Sequence, residues 1–329
     1  MFGKGKEFQP ITRDANSYDS LTASEDGRRL AAIETRTSNS LTFLDSSSGQ
    51  ASHTIPLSRT NAFVDFNWTV DGNLLFNDGS RLWKLGPDGK NESLLGDGTS
   101  QIFGAEACGA RNIVYTSNIS EGTNIWRAQA DGLGAVRLTS GGRVGWPVCS
   151  PDQKWVYYFQ ASDTDQPLSL SRVRLDGSGK PEMVPGSVPP GLSLDFAPIS
   201  ISPDGETLAY ILLDTRPRAS ADNRPDSSRH TLALLSLRST NPPRQLDLNP
   251  HFAEGVAFTP DGKAVACRIR ENGVENIWAQ PVDGSPGHQI TSFASDHIGE
   301  FHWSPDGKSL GVIRSHSESD VVLLQESKP

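Results

Sequence analysis

Six carboxylates, Asp19, Asp65, Glu106, Asp195, Glu254 and Glu300, stand in or just ahead of short hydrophobic runs in a chain of 329 residues. Carboxylates that converge on one point can hold a cation or a basic ligand. His302 lies inside one of these runs, and His297 and His251 lie just before such runs. Imidazoles that converge can hold a transition metal. No His-x-x-x-His pair sets two ligands on one element, so histidines satisfied by backbone or water are the simpler reading and no metal or cofactor is assigned. For the acids the simpler reading is a wet, polar wall, because their distances from the following turn differ.

Other chemistry-bearing residues lie in loops. Between Leu213 and His230 an insertion carries Arg216, Arg218, Arg224 and Arg229 among Asp and Pro. Guanidinium groups grip carboxylates and phosphates by paired hydrogen bonds, whereas interleaved acids favour a self-neutralised surface loop. Trp146, in Gly145-Trp146-Pro147, is placed to stack on a ligand. Three apparent motifs fail on inspection. Gly307-Lys308-Ser309 lacks the upstream Gly of a phosphate loop, Asp163-Thr164-Asp165 runs into Pro167, and no Gly-x-Ser-x-Gly elbow is present. No catalytic residue is assigned, and the chain reads as a binding protein.

The elements that must position these residues recur. Ser-Pro-Asp-Gly or a close variant stands at Ser24–Gly27, Thr69–Gly72, Ser150–Gln153, Ser202–Gly205, Thr259–Gly262 and Ser304–Gly307, with a degenerate copy at Cys108–Arg111. Pro presets the turn, Asp caps it and Gly takes positive φ, while alternating apolar residues on either side make each copy a β-hairpin. Leu82-Trp83, Ile125-Trp126 and Ile277-Trp278 mark a third strand, with weaker versions at Leu41–Leu44 and Val321–Leu324. Runs such as Val136–Thr139 mark a fourth. The fixed-position tryptophans Trp68, Trp303, Trp83, Trp126 and Trp278 are packing residues. Four strands per unit, at a spacing of roughly 40 to 57 residues, is the pattern of propeller blades.

The expected fold is therefore all-β, a seven-bladed β-propeller of four-stranded antiparallel blades. Phe8–Thr12 matches the blade-ending run His288–Thr291 and is expected to be the N-terminal strand that completes the last blade and closes the ring. Residues 1–7 are expected to be a tail and 8–329 one propeller domain.

A net charge of −9 with scattered Lys and Arg argues against a nucleic-acid partner. No apolar run is long enough for a membrane span, and Met1–Lys6 leads into no signal-peptide core. Cys108, Cys149 and Cys267 give neither a disulfide framework nor metal spacing. A Cys108–Cys149 bridge is disfavoured because inner strands of adjacent blades usually stand too far apart.

Repeats of Ser-Pro-Asp-Gly-Lys-x-Leu, Asn-Ile-Trp, Asp-Gly and Leu-Thr resemble the WD40-like blades of TolB-type propellers over Phe8–Gln325. The opening Ile11–Tyr18 is similar to propellers behind bacterial serine/threonine kinases and winged-helix regulators. That resemblance implies an extracytoplasmic sensing domain of a membrane-anchored parent, monomeric, binding a protein, peptide or small ligand on its loop face. The chain itself carries no kinase domain, winged helix or span. Two alternatives stay open: a metal-dependent lyase or hydrolase with its site in the central channel, and a TolB-like envelope scaffold.

Overall fold

The computed structural model describes residues 16–26, 29–57, 65–78, 81–96, 102–119, 122–140, 142–161, 168–195, 197–215 and 230–325. They fall into two compact units: the residues up to Ser38 with those from His316 onward, and Asn39–Ser315. The chain begins with β1 (Ser17–Ala23), β2 (Arg29–Asp45) and β3 (Ala51–Leu57).

The larger unit is a six-bladed propeller. Blade one is β4 (Asp65–Trp68), β5 (Leu74–Asn77), β6 (Leu82–Leu85) and β7 (Ser93–Leu94). Blade two is β8 (Ile102–Cys108), β9 (Asn112–Ser117), β10 (Asn124–Gln129) and β11 (Val136–Arg137). Blade three is β12 (Arg143–Cys149), β13 (Trp155–Ala161), β14 (Ser169–Arg174) and β15 (Glu182–Met183). Blade four has a broken first strand, β16 (Leu192–Leu194) and β17 (Ser200–Ile201), then β18 (Thr207–Asp214), β19 (His230–Ser236) and β20 (Arg244–Asp247). Blade five is β21 (Phe252–Phe258), β22 (Ala264–Glu271), β23 (Val274–Pro281) and β24 (His288–Gln289). Blade six takes β25 (His297–Trp303) and the start of β26 (Ser309–Gln325) from late in the chain, and the end of β2 and β3 from its beginning. First strands stand side by side, β25 with β4, β4 with β8, β8 with β12, β12 with β17, and β17 with β21.

The repeated turn explains why each hairpin forms. In blades three to six the hydroxyl of Ser150, Ser202, Thr259 or Ser304 donates to the Asp two residues on, at 2.7, 2.5, 2.7 and 2.6 Å. The same hydroxyl accepts the N–H five residues on, from Trp155, Thr207, Ala264 and Ser309, at 2.9 to 3.1 Å. The N–H two residues beyond each aspartate, foremost for Asp261, and the hydroxyl, foremost for the other three, hold the aspartates below the usual carboxylate range.

Apolar alternation does the rest. Six buried clusters fill the six joints between blades, one per joint. Phe66 and Trp68 meet Leu41 and Phe43 between blades six and one, and Tyr157 and Phe159 meet Leu208 and Tyr210 between blades three and four.

The expected seventh blade does not form. Its turn, described from Ser24 to Asp26, belongs to the smaller unit, where β1 pairs with β2. The physical reason lies in β2 and β26, each 17 residues long without a break. No Gly or Pro interrupts Arg29–Asp45, and none follows Gly311 within β26, so the turns that would have separated second from third strands are missing. Leu41–Leu44 is thus the end of β2 and lies in blade six, and Val321–Leu324 is the end of β26. Blade six is completed to four strands by β2 and β3, not by a single added strand. The proposed closing strand Phe8–Thr12 lies outside the described residues. Among them no helix is long and apolar enough to cross a membrane.

Candidate binding site on the inner strands

Positions on the inner strands can be counted back from the residue that opens each hairpin turn, Thr69, Cys108, Ser150, Thr259 or Ser304. Four residues before it stand Asp65, Gly104, Trp146, Gly255 and Glu300. The register slips here in four of the five strands, between Phe103 and Glu106, Gly145 and Val148, Glu254 and Ala257, and Ile298 and Phe301. A bulge of this kind re-aims side chains. Gly104, Trp146 and Gly255 all have positive φ, at 53°, 49° and 85°. Trp146 therefore keeps a bulky side chain where two other blades use glycine, a strained choice that points to a job for the indole. It is half-buried and packs on the cluster between blades three and four.

Asp65 and Glu300 occupy the same place in adjacent blades. Burial, and next the Glu300 charge, push the Asp65 carboxyl well above its ordinary value, although the N–H groups of Phe66 and Ala105 both bond to it. Burial pushes Glu300 up to about 7, with Arg268 opposing and Glu254 adding to the shift. Glu106 sits two residues before its turn and accepts the Cys149 N–H at 3.4 Å. Burial pushes it up to about 8. The three side chains are half-buried, and carboxylates set near one another ionise less readily than free ones, so proton affinity is raised at this corner of the ring.

His302 holds the equivalent place to Glu106 in blade six. Burial pulls its imidazole down to about 4, so it is neutral, and it meets the Phe66 ring edge-on at 5.2 Å. Its carbonyl accepts the Trp68 indole N–H at 3.0 Å. His297 lies 3.8 Å from the buried Glu275, and the N–H of His251 bonds to Asn249. Among the described residues no three His, Cys, Asp or Glu are placed to hold a metal ion.

Of the six acids read from sequence, the structure sets Asp65 where the charges of both Glu300 and Glu106 act on it. Asp195 pairs instead with His230 at 3.3 Å, and Glu254 pairs with Arg268. Asp19 is not on an inner strand at all: it lies on β1 in the smaller unit. Arg216, Arg218, Arg224 and Arg229 lie outside the described residues.

One reading is corrected outright. Cys108 and Cys149 form a disulfide, with Cα atoms 5.6 Å apart, and only Cys267 is left free. The two cysteines are not at equal places. Cys108 opens its turn and Cys149 precedes its own by one residue, so one faces forward and the other backward into the same joint. Sequence reasoning also missed Glu275, 1 % exposed, which gathers Arg270 and the Ile298 N–H. The strand pattern Val-Glu-Asn-Ile-Trp, with a charge at a buried position, was the available signal.

Neither a family model nor a curated protein matches the sequence. Solved structures do. A protein assigned as TolB from Agrobacterium tumefaciens superimposes with a TM-score of 0.64 at 16 % identity, covering 85 % of this chain and 99 % of that one. A chain of a nidogen/laminin complex gives 0.55 at 13 %, over 77 % and 94 %. An oligogalacturonate lyase in complex with manganese gives 0.53 at 11 %, over 91 % and 96 %. At these identities the likeness is one of fold: this is a β-propeller of the TolB type.

Proposed function

We propose that the propeller works by binding, and that its inner-strand site recognises a basic group presented by a protein or peptide. The observation that carries this reading is the gathering of Asp65, Glu106 and Glu300 from three consecutive blades, all with raised proton affinity. Three acids cost stability when left together, so a ligand that brings positive charge gains what the free site lacks. Trp146 supplies an aromatic face on the same layer, suited to a guanidinium or ammonium. Protein recognition is also in keeping with the partners named for the nidogen/laminin structure. The Cys108–Cys149 bridge supports an oxidising, extracytoplasmic setting.

Calorimetric titration with oligolysine and oligoarginine peptides tests the site, with oligoglutamate as the control. Binding should tighten from about pH 6 to about pH 8.5 as the carboxyls ionise. Asp65→Asn with Glu300→Gln should weaken it at least about tenfold. Cationic peptides that bind no better than acidic ones would sink the proposal.

A further inference from the structure

Some backbone groups near the start of the inner strands are bonded by side chains of the preceding blade. Six residues before the turn stand Ile102, Val144 and Ile298, in blades two, three and six. Asn77 of blade one, four residues beyond the one that closes its turn, donates to the Ile102 carbonyl at 2.6 Å. Arg268 holds the same place in blade five and donates to the Ile298 carbonyl. Thr123 of blade two stands two residues before Ile125-Trp126, and its hydroxyl accepts the Val144 N–H at 3.0 Å. Glu275 holds the same place before Ile277-Trp278 and accepts the Ile298 N–H at 2.6 Å.

Neutral side chains thus do in two joints what two charged ones do between blades five and six. The Glu275 side chain is 1 % exposed and that of Arg268 13 %, with Nη1 4.0 Å from Oε2. A buried ion pair roughly breaks even against neutral groups of similar size, so the fold alone does not call for either charge. Arg268 also does something that Asn77 does not. It pairs with Glu254, and its charge acts on Glu300, opposing the burial that raises that carboxyl. It lies beside Gly255, where a Cβ would stand 3.7 Å from its Nε.

Glu254, Glu300, Asp65 and Glu106 lie on the inner strands of four consecutive blades. Charge couples Glu254 to Glu300, and couples both Glu300 and Glu106 to Asp65. Arg268 serves the blade-five end of this row. At the blade-two end, among the described residues, no cation acts on Glu106, which bonds to the Cys149 N–H. We propose that Arg268, held by Glu275, is the built-in counter-cation of the row and makes the site select a single basic side chain. It serves Glu254 and Glu300 and leaves Asp65 and Glu106 to the ligand. A second cation next to the first would meet Arg268, and like charges set against each other suppress a partner. This selection rests on the reading that the acids receive a basic group.

Arg268→Asn with Glu275→Thr tests it, because each replacement is the residue that does the same backbone job in another blade. Circular dichroism should match the wild type. One readout needs no ligand: the titration midpoint of Glu300 by carboxyl NMR, assigned with Glu300→Gln. Removing the cation should raise that midpoint, since Glu254 then acts on Glu300 unopposed. Arg268→Lys keeps the charge and gives up the forked bonds, and should hold the midpoint near the wild-type value. The other readout is calorimetry at about pH 8.5 with peptides carrying one lysine or two adjacent lysines. The wild type should bind both within about twofold, and the double variant should favour two lysines at least about tenfold. An unmoved Glu300 midpoint overturns the proposal. A wild type that already favours two lysines about tenfold, or a variant that discriminates no better than the wild type, overturns it too. If neither peptide binds the wild type while the midpoint rises, the basic-group reading falls and the selection with it, and Arg268 is a counter-ion only.

Discussion

Blades three to six are joined to one another by one repeated device, whereas the joints around blades one and two are each made differently. In the regular half the proline of one turn packs on the glycine of the next. A Cβ added to Gly205, Gly262 or Gly307 would stand 3.3, 3.4 or 2.8 Å from Pro151, Pro203 or Pro260. Each of these glycines has a φ near 70°, which Gly alone adopts without cost. In the irregular half the turns are one residue shorter: Thr69 closes onto Asn73 and Cys108 opposes Asn112, whereas Ser202 closes onto Thr207. A Cβ added to Gly72 would meet nothing within 4 Å.

Other contacts replace the missing one. Between blades six and one, Phe66 packs on Gly311, where a Cβ would lie 2.8 Å from the ring. Between blades one and two, Asn77 donates to the Ile102 carbonyl at 2.6 Å. Between blades two and three stand the disulfide and the bond from the Cys149 N–H to Glu106. Asp65 and Glu106 belong to this half, and Glu300 stands on the neighbouring blade six. A repeated turn makes joints uniform and leaves little room for variation. Where the repeat lapses, each joint is free to carry polar groups that do not favour the fold.

The comparison breaks most visibly at Phe66. Its side chain is 1 % exposed and sits in a joint with no proline contact to share the load. Phe66→Ala should cost about 3–5 kcal/mol in urea unfolding, the range for emptying a buried aromatic site. A loss below about 1 kcal/mol would mean that the joint collapses around the hole, as a redundantly held joint would.

A second effect, read as a shift in Tm, should follow pH. In the unfolded chain a glutamate releases its proton near pH 4.3. In the folded chain Glu300 holds it to about 7 and Glu106 to about 8. Between these limits the native state binds more protons, so stability should fall as pH rises from about 4.3 to about 8 and then level off. Glu106→Gln should flatten that slope and raise Tm at pH 8. The turn aspartates act in the opposite sense: Asp71, held at about 2 by Thr69 and Lys84, adds stability that is lost as pH falls toward that value. A slope in Glu106→Gln equal to that of the wild type would remove Glu106 from the account.

How much of this could be read beforehand follows the same division. The blades with the full turn were legible residue by residue, because hydroxyl, Asp and Gly at fixed spacing close one local set of bonds. Blade six was not, since the pairing of β2 with β26 joins residues more than 270 apart, such as Asn39 and Ser315, and only the absence of Gly and Pro hinted at it. The disulfide was missed for want of the facing of each cysteine. The acids were recognisable by type, but the sorting of Asp195 to His230 and Glu254 to Arg268 depends on neighbouring strands and loops whose alignment emerges only on folding. Trp146 stood out by its flanking Gly and Pro, yet its positive φ is a property of the bulge.

The smallest effect isolates the repeated contact itself. Pro203 and Pro305 occupy the same place in their turns, and replacing either by Ala loosens the unfolded chain by a similar amount. Pro203 rests on Gly262, whereas the glycine that follows Pro305 around the ring, Gly72, has no such neighbour. Pro203→Ala should therefore cost about 1 kcal/mol and Pro305→Ala about half of that, both read from the shift in urea midpoint at constant slope. The difference measures the interblade contact, because the turn geometry and the unfolded-state effect cancel. Equal losses would mean that the proline serves its own turn alone, and the uniformity of blades three to six would then reflect four independent hairpins with no shared device between them.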